Sequence, residues 1–569
     1  MKQVITNAAD ITILRTDASA TTKTGGGPIS NGASAVMASK GKPFTVIRTL
    51  ASTLEKLFGK ALPKKAAGAE GLRHVNDALK ELLYCNVVRV VNEDYRFPSL
   101  AFATVDGADT TAANTHNTVL SIGAGNFLQV WPVDGDPSVN RSFEVANVVT
   151  DKGAYDTAVV YAVNDIVTVA GGRLICIAAH IATDADPTLA IPTVRWKVYD
   201  GQYDERFTIN FYDEDKDGTE YLLETYLVGV DPFDRDDMGL PAYIETVLEQ
   251  QSTRFRANFD EDETWATVLT GLKGITKTTF TGGTNGGEPV TADWNAAWDL
   301  FRNETFAANH MFAAGLYDAD ALANMIDVAD KRRSACYFDV SPALTSAQAI
   351  EWLKGTGLAS RNARVTYSPF EANDPTYGGP MVWGVSGDKV AAKCRGEAIF
   401  SGSTPGVHFA AAGANRAMLT RTGVKPLHEE DAPDRDALYS ARINPVVAGG
   451  SGGAVIDDDL SLYFKEDYSR FAWVVDIDNY IAHRFYQGAA ALKFEPDGLT
   501  FSGLTSMTKE ILDEMVTSGA LVKPRDPEDG DKEYVLTVEQ IEIDLWLVTW
   551  YICPTGSARR IAGQPRYIK

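Results

Sequence analysis

Long apolar runs, pairable cysteines and positive charge are what this sequence has least of. Nowhere do about 18 uninterrupted apolar residues occur, and the opening MKQVITNAADITILRTD places no apolar stretch behind a basic start, so neither membrane insertion nor secretion is expected. The five cysteines, Cys85, Cys176, Cys336, Cys394 and Cys553, are odd in number and widely spaced. That pattern argues against a disulfide framework or a zinc site and reads them as buried thiols. No two of the seven histidines stand three or four apart, so no helical metal pair is visible and no metal or other cofactor is expected. With 53 basic against 76 acidic residues the formal net charge is −23, which argues against a general nucleic-acid binder.

What charge of positive sign there is sits at the ends. Residues Met1 to Lys65 carry +7 and the last 25 residues +4, leaving −34 for the stretch between. Basic ends on an acidic middle are expected if the ends reach across to an identical neighbour; the alternative is that they are simply solvated and basic by chance. The segment EYVLTVEQIEIDLWLVTWYICP, from Glu533, reads as one long strand ahead of a basic tail. Ile541, Ile543, Leu545, Leu547 and Tyr551 fall on one face at period two, while the other passes from Glu542 and Asp544 to Trp546, Val548 and Trp550. A strand apolar on both faces needs cover on both. After Asp544 no acidic residue occurs, yet Arg559, Arg560, Arg566 and Lys569 follow.

At 569 residues with 45% hydrophobic content, the chain has material for several cores and roughly three to four domains. A short apolar piece containing Ile11 and Ile13 precedes TTKTGGGPISNGASAVMASKGKP, whose Gly, Ser and Thr content favours an extended connector over packed structure. From Phe44 an α/β unit begins, with FTVIRTL as a strand and LRHVNDALKELLYC as a helix feeding the strand NVVRVV. Between Val105 and Gly201 the texture changes to short strands with Gly, Asn, Asp and Thr turns. Helices such as TADWNAAWDLFRN and DADALANMIDVADK then alternate with strands such as SACYFDV, implying a sheet covered on both faces. Toward the end, YSRFAWVVDIDNYIAHRFYQ and SMTKEILDEMVTSGAL read as helices, the second closed by Gly519.

Several local patterns invite chemistry and have plainer explanations. Asp213, Asp215, Asp217, Gly218 and Glu224 match a calcium-loop spacing, but their flanks alternate like strands, so an Asp-Gly hairpin is the preferred reading. Gly449, Ser451 and Gly453 form G-x-S-x-G, but strand-like runs lie on both sides and a flexible turn is preferred to a nucleophile elbow. The glycine string TGGTNGG lacks the lysine of a phosphate loop. Acidic clusters at Asp457 to Asp459 and Asp526 to Asp531 read as solvated turns. On the helix MTKEILDEMVTS, Lys509, Glu510, Asp513 and Glu514 flank an apolar stripe of Ile511, Leu512 and Met515; the helix is either a docking face or an ordinary core-facing element. No catalytic constellation emerges.

Residues 155–199 resemble the small chitin-binding-type modules found beside glycoside hydrolases, through Tyr161, Asn164, Asp165, Val167, Gly171, Gly172 and Trp196. Leu174 stands where such modules usually keep an aromatic. The plainer reading is a small β-domain with Trp196 in its own core, the alternative surface glycan binding.

Read together, LLETYLVGVDPFDRDDMGLPAYIETVLEQQSTRFRA, the TGGTNGG loop, ADKRRSACYFDVSPALTSAQAIEWLKG, ALYSARINPVV and the ending FEPDGLT…SGALV…IEIDLWLVTWYICPTGSARRIAGQPRYIK resemble the contractile tail sheath family of bacteriophages and related injection systems. The resemblance takes in everything after Glu205 and, more faintly, most of 44–104. It implies an α/β (α+β) multidomain fold: an arm and linker over 1–40, an inner α/β domain from 41–104 and 425–557, an inserted β-rich outer domain over 105–204, a middle or outer α/β domain over 205–424, and a C-terminal arm over 558–569. It further implies a non-enzymatic subunit that stacks in hexameric rings around a tail tube, meets baseplate and tail terminator proteins, and is assembled in the bacterial cytoplasm into the virion tail. Arms carrying Ile11, Ile13, Arg559, Arg560, Arg566 and Lys569 would add strands to a neighbour beside Ile541, Ile543, Leu545 and Leu547. Helix Ser506 to Ser518 would lie nearest the tube. A secreted polysaccharide-degrading enzyme or an adhesin with a carbohydrate-binding module is the alternative; the former requires a signal peptide and paired carboxylates.

Overall fold

The computed structural model describes residues 30–103, 109–110, 122, 125–133, 141–181, 195–214, 219–236, 238–402, 404–427, 434–449, 453–526, 528 and 530–559. It is a multidomain α+β architecture built from dispersed chain segments, and it divides into two compact units. The first takes the chain up to Ser39, Pro43–Val90 and everything from Glu288; the second takes Lys40–Lys42 and Val91–Gly287.

The first unit is organised by an eight-stranded sheet in the order Val46–Thr49, Tyr84–Arg89, Asn31–Val36, His310–Phe312, Ala335–Val340, Ala363–Tyr367, Ile443–Ala448, Ala454–Ile456. The inner six strands run parallel and the two outermost pair antiparallel. Parallel strands are joined by helical crossovers, so both faces are covered. Along Ala335–Val340, Cys336, Phe338 and Val340 enter the core with Trp298, Leu322, Met325 and Leu353, while Ala335 and Tyr337 enter the opposite core with Phe58, Leu72 and Val390. Asp339, also on the second face, accepts Val385 N at 2.8 Å and Ser386 N at 2.9 Å, anchoring the N-terminus of helix Ser386–Glu397 on the sheet.

Three sequence expectations change here. The segment NGASAV, read as part of a mobile connector, is a fully buried strand paired on both sides. Its small side chains mimic a linker by composition, but small residues also let flanking helices approach a sheet closely. A Cβ on Gly32 would stand 2.6 Å from Leu82 Cδ1. Gly32→Val is accordingly expected to destabilise the unit by about 1–3 kcal/mol through overpacking, read as a lowered thermal midpoint. An unchanged midpoint would show that the strand is not held as tightly as this geometry requires. The boundary expected at 204 also moves: strands from 206–229 pair with Ser142–Ala146 in the second unit, whereas strands from 310–367 join those of 31–89. Texture along the chain does not encode which segments share a sheet. Helix Gly71–Ala78 is likewise shorter than its apolar spacing suggests, since Tyr84 and Cys85 already belong to the next strand.

The second unit holds small antiparallel sheets around a phenylalanine-rich core that includes Phe102, Phe143, Phe211 and Phe255, the last two stacked with ring centroids 3.9 Å apart. Within it, Arg206–Glu214 and Glu220–Gly229 form the expected hairpin. Residues 155–199 contribute a separate small core in which Tyr161, Leu174 and Trp196 are buried. No helix among the described residues is long and apolar enough to cross a membrane.

Candidate functional site

The C-terminal segment departs from the single strand expected of it. Tyr534–Glu542 and Leu545–Ile552 form an antiparallel hairpin, turning at Ile543 and Asp544. Neither turn residue is the glycine or asparagine that usually marks a two-residue hairpin, which is why periodicity alone ran through it. Face parity survives the turn. Leu536, Val538, Trp546, Val548 and Trp550 pack against helices Ala472–Ala490 and Asp497–Thr517, with Trp550 5.1 Å from Phe485 between ring centroids. The opposite face carries Val535, Ile541 and Tyr551 exposed and Leu545 and Leu547 half-buried, while Ile543 at the tip is 90% exposed. Among the described residues the hairpin is a two-stranded sheet with no third strand on either edge. One apolar face is therefore largely exposed, and along Tyr534–Glu542 and Leu545–Ile552 neither ladder edge carries a further strand, Leu521 bridging Pro554 only beyond the second strand's end, an arrangement that favours strand addition.

The tail that follows is pinned at its root. Arg559 donates to Asp458 Oδ2 at 2.5 Å, and Asp458 is buried. Burial pushes the Asp458 carboxyl above its ordinary pKa against the opposing pull of Arg559. Arg560, Arg566, Lys569, Ile11 and Ile13 lie outside the described residues. Asp458 and Asp459, read as a solvated turn, are instead part of a buried charge cluster. Asp459 accepts Ala411 N at 2.9 Å and pairs with Lys389 at 2.8 Å; Asp476 pairs with Lys393 at 2.6 Å and with Arg364. Burial alone would raise the Asp459 carboxyl, but Lys389 overrides it and holds the pKa below the ordinary value. Lys389 and Lys393 stand four apart on one face of a helix buried nearly all round. Sequence reasoning missed them because a charged i, i+4 pair on a helix reads as a wet face; their signal is pairing with acids far along the chain.

Lys509, Glu510, Asp513 and Glu514 line an open groove of about 540 Å³ together with Ser401 and Thr404. Tyr534 donates to Asp513 Oδ1 at 2.5 Å, and Arg484 pairs with Glu514 at 3.1 Å. The stripe Ile511, Leu512 and Met515 faces the core, and Gly519 closes the helix at a positive φ of 79°.

The remaining motifs resolve structurally. Asp213 pairs with Arg141 at 3.2 Å and Glu224 accepts Ser252 Oγ at 2.7 Å, while Asp215, Asp217 and Gly218 lie outside the described residues. Strands Ile443–Ala448 and Ala454–Ile456 pair antiparallel around the G-x-S-x-G string, whose Ser451 also lies outside them. Tyr155 stacks on Tyr161 and Trp196 meets both rings edge-on within the module core; Tyr161 and Trp196 are buried, so those two rings offer no sugar platform. Ser386 Oγ lies 3.1 Å from His74 Nδ1, with Glu70 3.4 Å from Nε2, but serine and histidine are both fully buried and out of reach of a substrate. Cys85, Cys176, Cys336 and Cys394 are buried free thiols; Cys553 is half-buried. Spacing along the chain predicted no metal constellation, yet the fold brings His310, Cys394 and Glu397 together.

No protein-family model matches the chain, and no curated protein matches it by sequence. Among solved structures, a sheath tail protein from Desulfitobacterium hafniense shares 12% identity at a TM-score of 0.47, over 95% of this chain and 100% of its own. The sheath complex of the extracellular contractile injection system PVC in its contracted state shares 17% identity at a TM-score of 0.37, over 46% of this chain and 71% of that one. The helical sheath of the anti-feeding prophage in its contracted state shares 15% at 0.38, over 49% and 78%. The chain is structurally similar, at low identity, to sheath proteins of contractile tails and injection systems.

Proposed function

We propose that this chain is the structural subunit of a contractile tail sheath, polymerising as stacked hexameric rings around a tail tube and shortening to drive that tube through a host envelope. The observation that carries the reading is the C-terminal hairpin, with an uncovered apolar face and two open edges, directly ahead of a cationic tail rooted at Arg559. An arm lent by an adjacent copy would supply the missing strand through main-chain hydrogen bonds. Those bonds travel with the hairpin, so subunits stay linked while their bodies slide and rotate. The ordered set of sheath-like segments in the sequence and the partition of charge along the chain support the same reading. On it, the partners are further copies of the chain, the tail tube, and baseplate and terminator proteins; helix Asp497–Thr517 faces the tube; and assembly takes place in the bacterial cytoplasm ahead of incorporation into the virion tail. Negative-stain electron microscopy of the purified full-length protein tests this. Tubes or striated polysheaths are the expected result, and solitary particles at high concentration would end the proposal.

A further inference from the structure

Histidine, cysteine and glutamate converge inside the first unit from segments 87 positions apart. His310 belongs to strand His310–Phe312, while Cys394 and Glu397 stand three apart on one face of helix Ser386–Glu397. All three residues are buried, and one ligand atom from each lies within 4.8 Å of the others. His310 Nε2 is 3.1 Å from Glu397 Oε1, close to the roughly 3.3 Å nitrogen–oxygen edge of a tetrahedron drawn with zinc bond lengths.

We propose that His310, Cys394 and Glu397 form a binding site for one divalent transition-metal ion of the zinc class, with a water completing the shell. The donor set is imidazole, thiolate and carboxylate, which suits zinc and not calcium or magnesium, whose shells are built from oxygen. Charge balances: a divalent ion, a thiolate and a carboxylate sum to zero beside a neutral imidazole, so the loaded site leaves no net charge buried. On binding, the Cys394 S–H bond breaks, sulfur gives its electron pair to the metal and the proton leaves to solvent. Nε2 likewise donates its lone pair, which places the ring proton on Nδ1, where the Tyr337 hydroxyl oxygen stands 3.3 Å away to accept it. Ser30 donates to Glu397 Oε2 at 2.9 Å and fixes the carboxylate. Beside His310 and Glu397 lies a cavity of about 30 Å³, lined also by Arg333, Asp476 and His483, enough for the fourth ligand. The donor atoms lie within 4.8 Å of one another, against a nitrogen–sulfur edge of roughly 3.5 Å in a zinc tetrahedron, so capture draws the three donors together and exchanges the His310–Glu397 hydrogen bond for two metal bonds.

The full-length protein, purified without chelator, is expected to hold one zinc per chain by plasma mass spectrometry. Exchange into Co²⁺ is expected to give intense visible d–d bands and a thiolate-to-cobalt charge-transfer band in the near ultraviolet. Cys394→Ser, nearly isosteric, should erase the charge-transfer band and weaken Co²⁺ binding by about tenfold or more while leaving the far-ultraviolet circular dichroism intact. Substoichiometric zinc with no cobalt bands in the wild-type protein overturns the proposal and leaves an ordinary buried His–Glu hydrogen bond. So does a charge-transfer band that survives Cys394→Ser. The wild-type measurements decide even where the variant does not fold.

Discussion

Truncation after Arg559 is expected to leave a folded protein that no longer polymerises. The cut retains the contact between Arg559 and buried Asp458, so the unit keeps its internal charge balance, and it removes only 560–569. Those residues bring Arg560, Arg566 and Lys569 and no acid, and ten residues extend to at most about 33–36 Å, enough to reach an adjacent copy. On the receiving side stand an unpaired hairpin edge and the face bearing Val535, Ile541 and Tyr551. On the proposed reading, loss of the arm would remove a strand's main-chain hydrogen bonds together with its apolar cover, a loss too large for rim contacts to offset. Sedimentation velocity and negative-stain microscopy of full-length and truncated protein should separate polymer from monomer. Tubes formed by the truncated chain would mean that the arm is not what links the copies. Deleting 558–569 is the less clean cut, since it also strips Asp458 of Arg559.

Asp476→Ala is expected to cost about 3–5 kcal/mol, among the largest effects available to a single substitution here. Asp476 is the carboxylate that faces both Arg364 and Lys393, whose side chains are 1% exposed. Removing it leaves two buried cations sharing no acid at that point, and the expense is their uncompensated desolvation rather than the lost bonds. In a unit of this size the unfolding entropy, on the order of 2.1 cal/mol/K per residue, converts the loss into a thermal midpoint lower by roughly 5 °C. Differential scanning calorimetry of unpolymerised protein reads it directly. A shift within about 1 °C would show that water reaches the cluster and screens it. Truncating exposed Lys509 is the matching control and should change stability by no more than about 0.5 kcal/mol.

The sequence by itself determined what depends on near neighbours. Period-two runs located strand Ala335–Val340 and the hairpin Arg206–Glu214 with Glu220–Gly229; spacing near 3.6 located helices Ala319–Arg332 and Ala472–Ala490; Gly519 marked a helix end; and the basic tail was countable residue by residue. Face parity in the last segment was legible too, so Ile541, Ile543, Leu545, Leu547 and Tyr551 were set apart from Trp546, Val548 and Trp550 even though the turn was not recognised. Only the tertiary structure decided how distant segments meet. It made NGASAV an interior strand by setting Tyr84–Arg89 and His310–Phe312 on either side of it, and it turned two aspartates of a polar-looking triplet inward by supplying Lys389 and Arg559 as partners. It likewise joined His310 to Glu397 across 87 positions. Backbone periodicity is a local property with a reach of about four residues, whereas burial of a small residue or a charge is settled by whatever the folded chain brings against it.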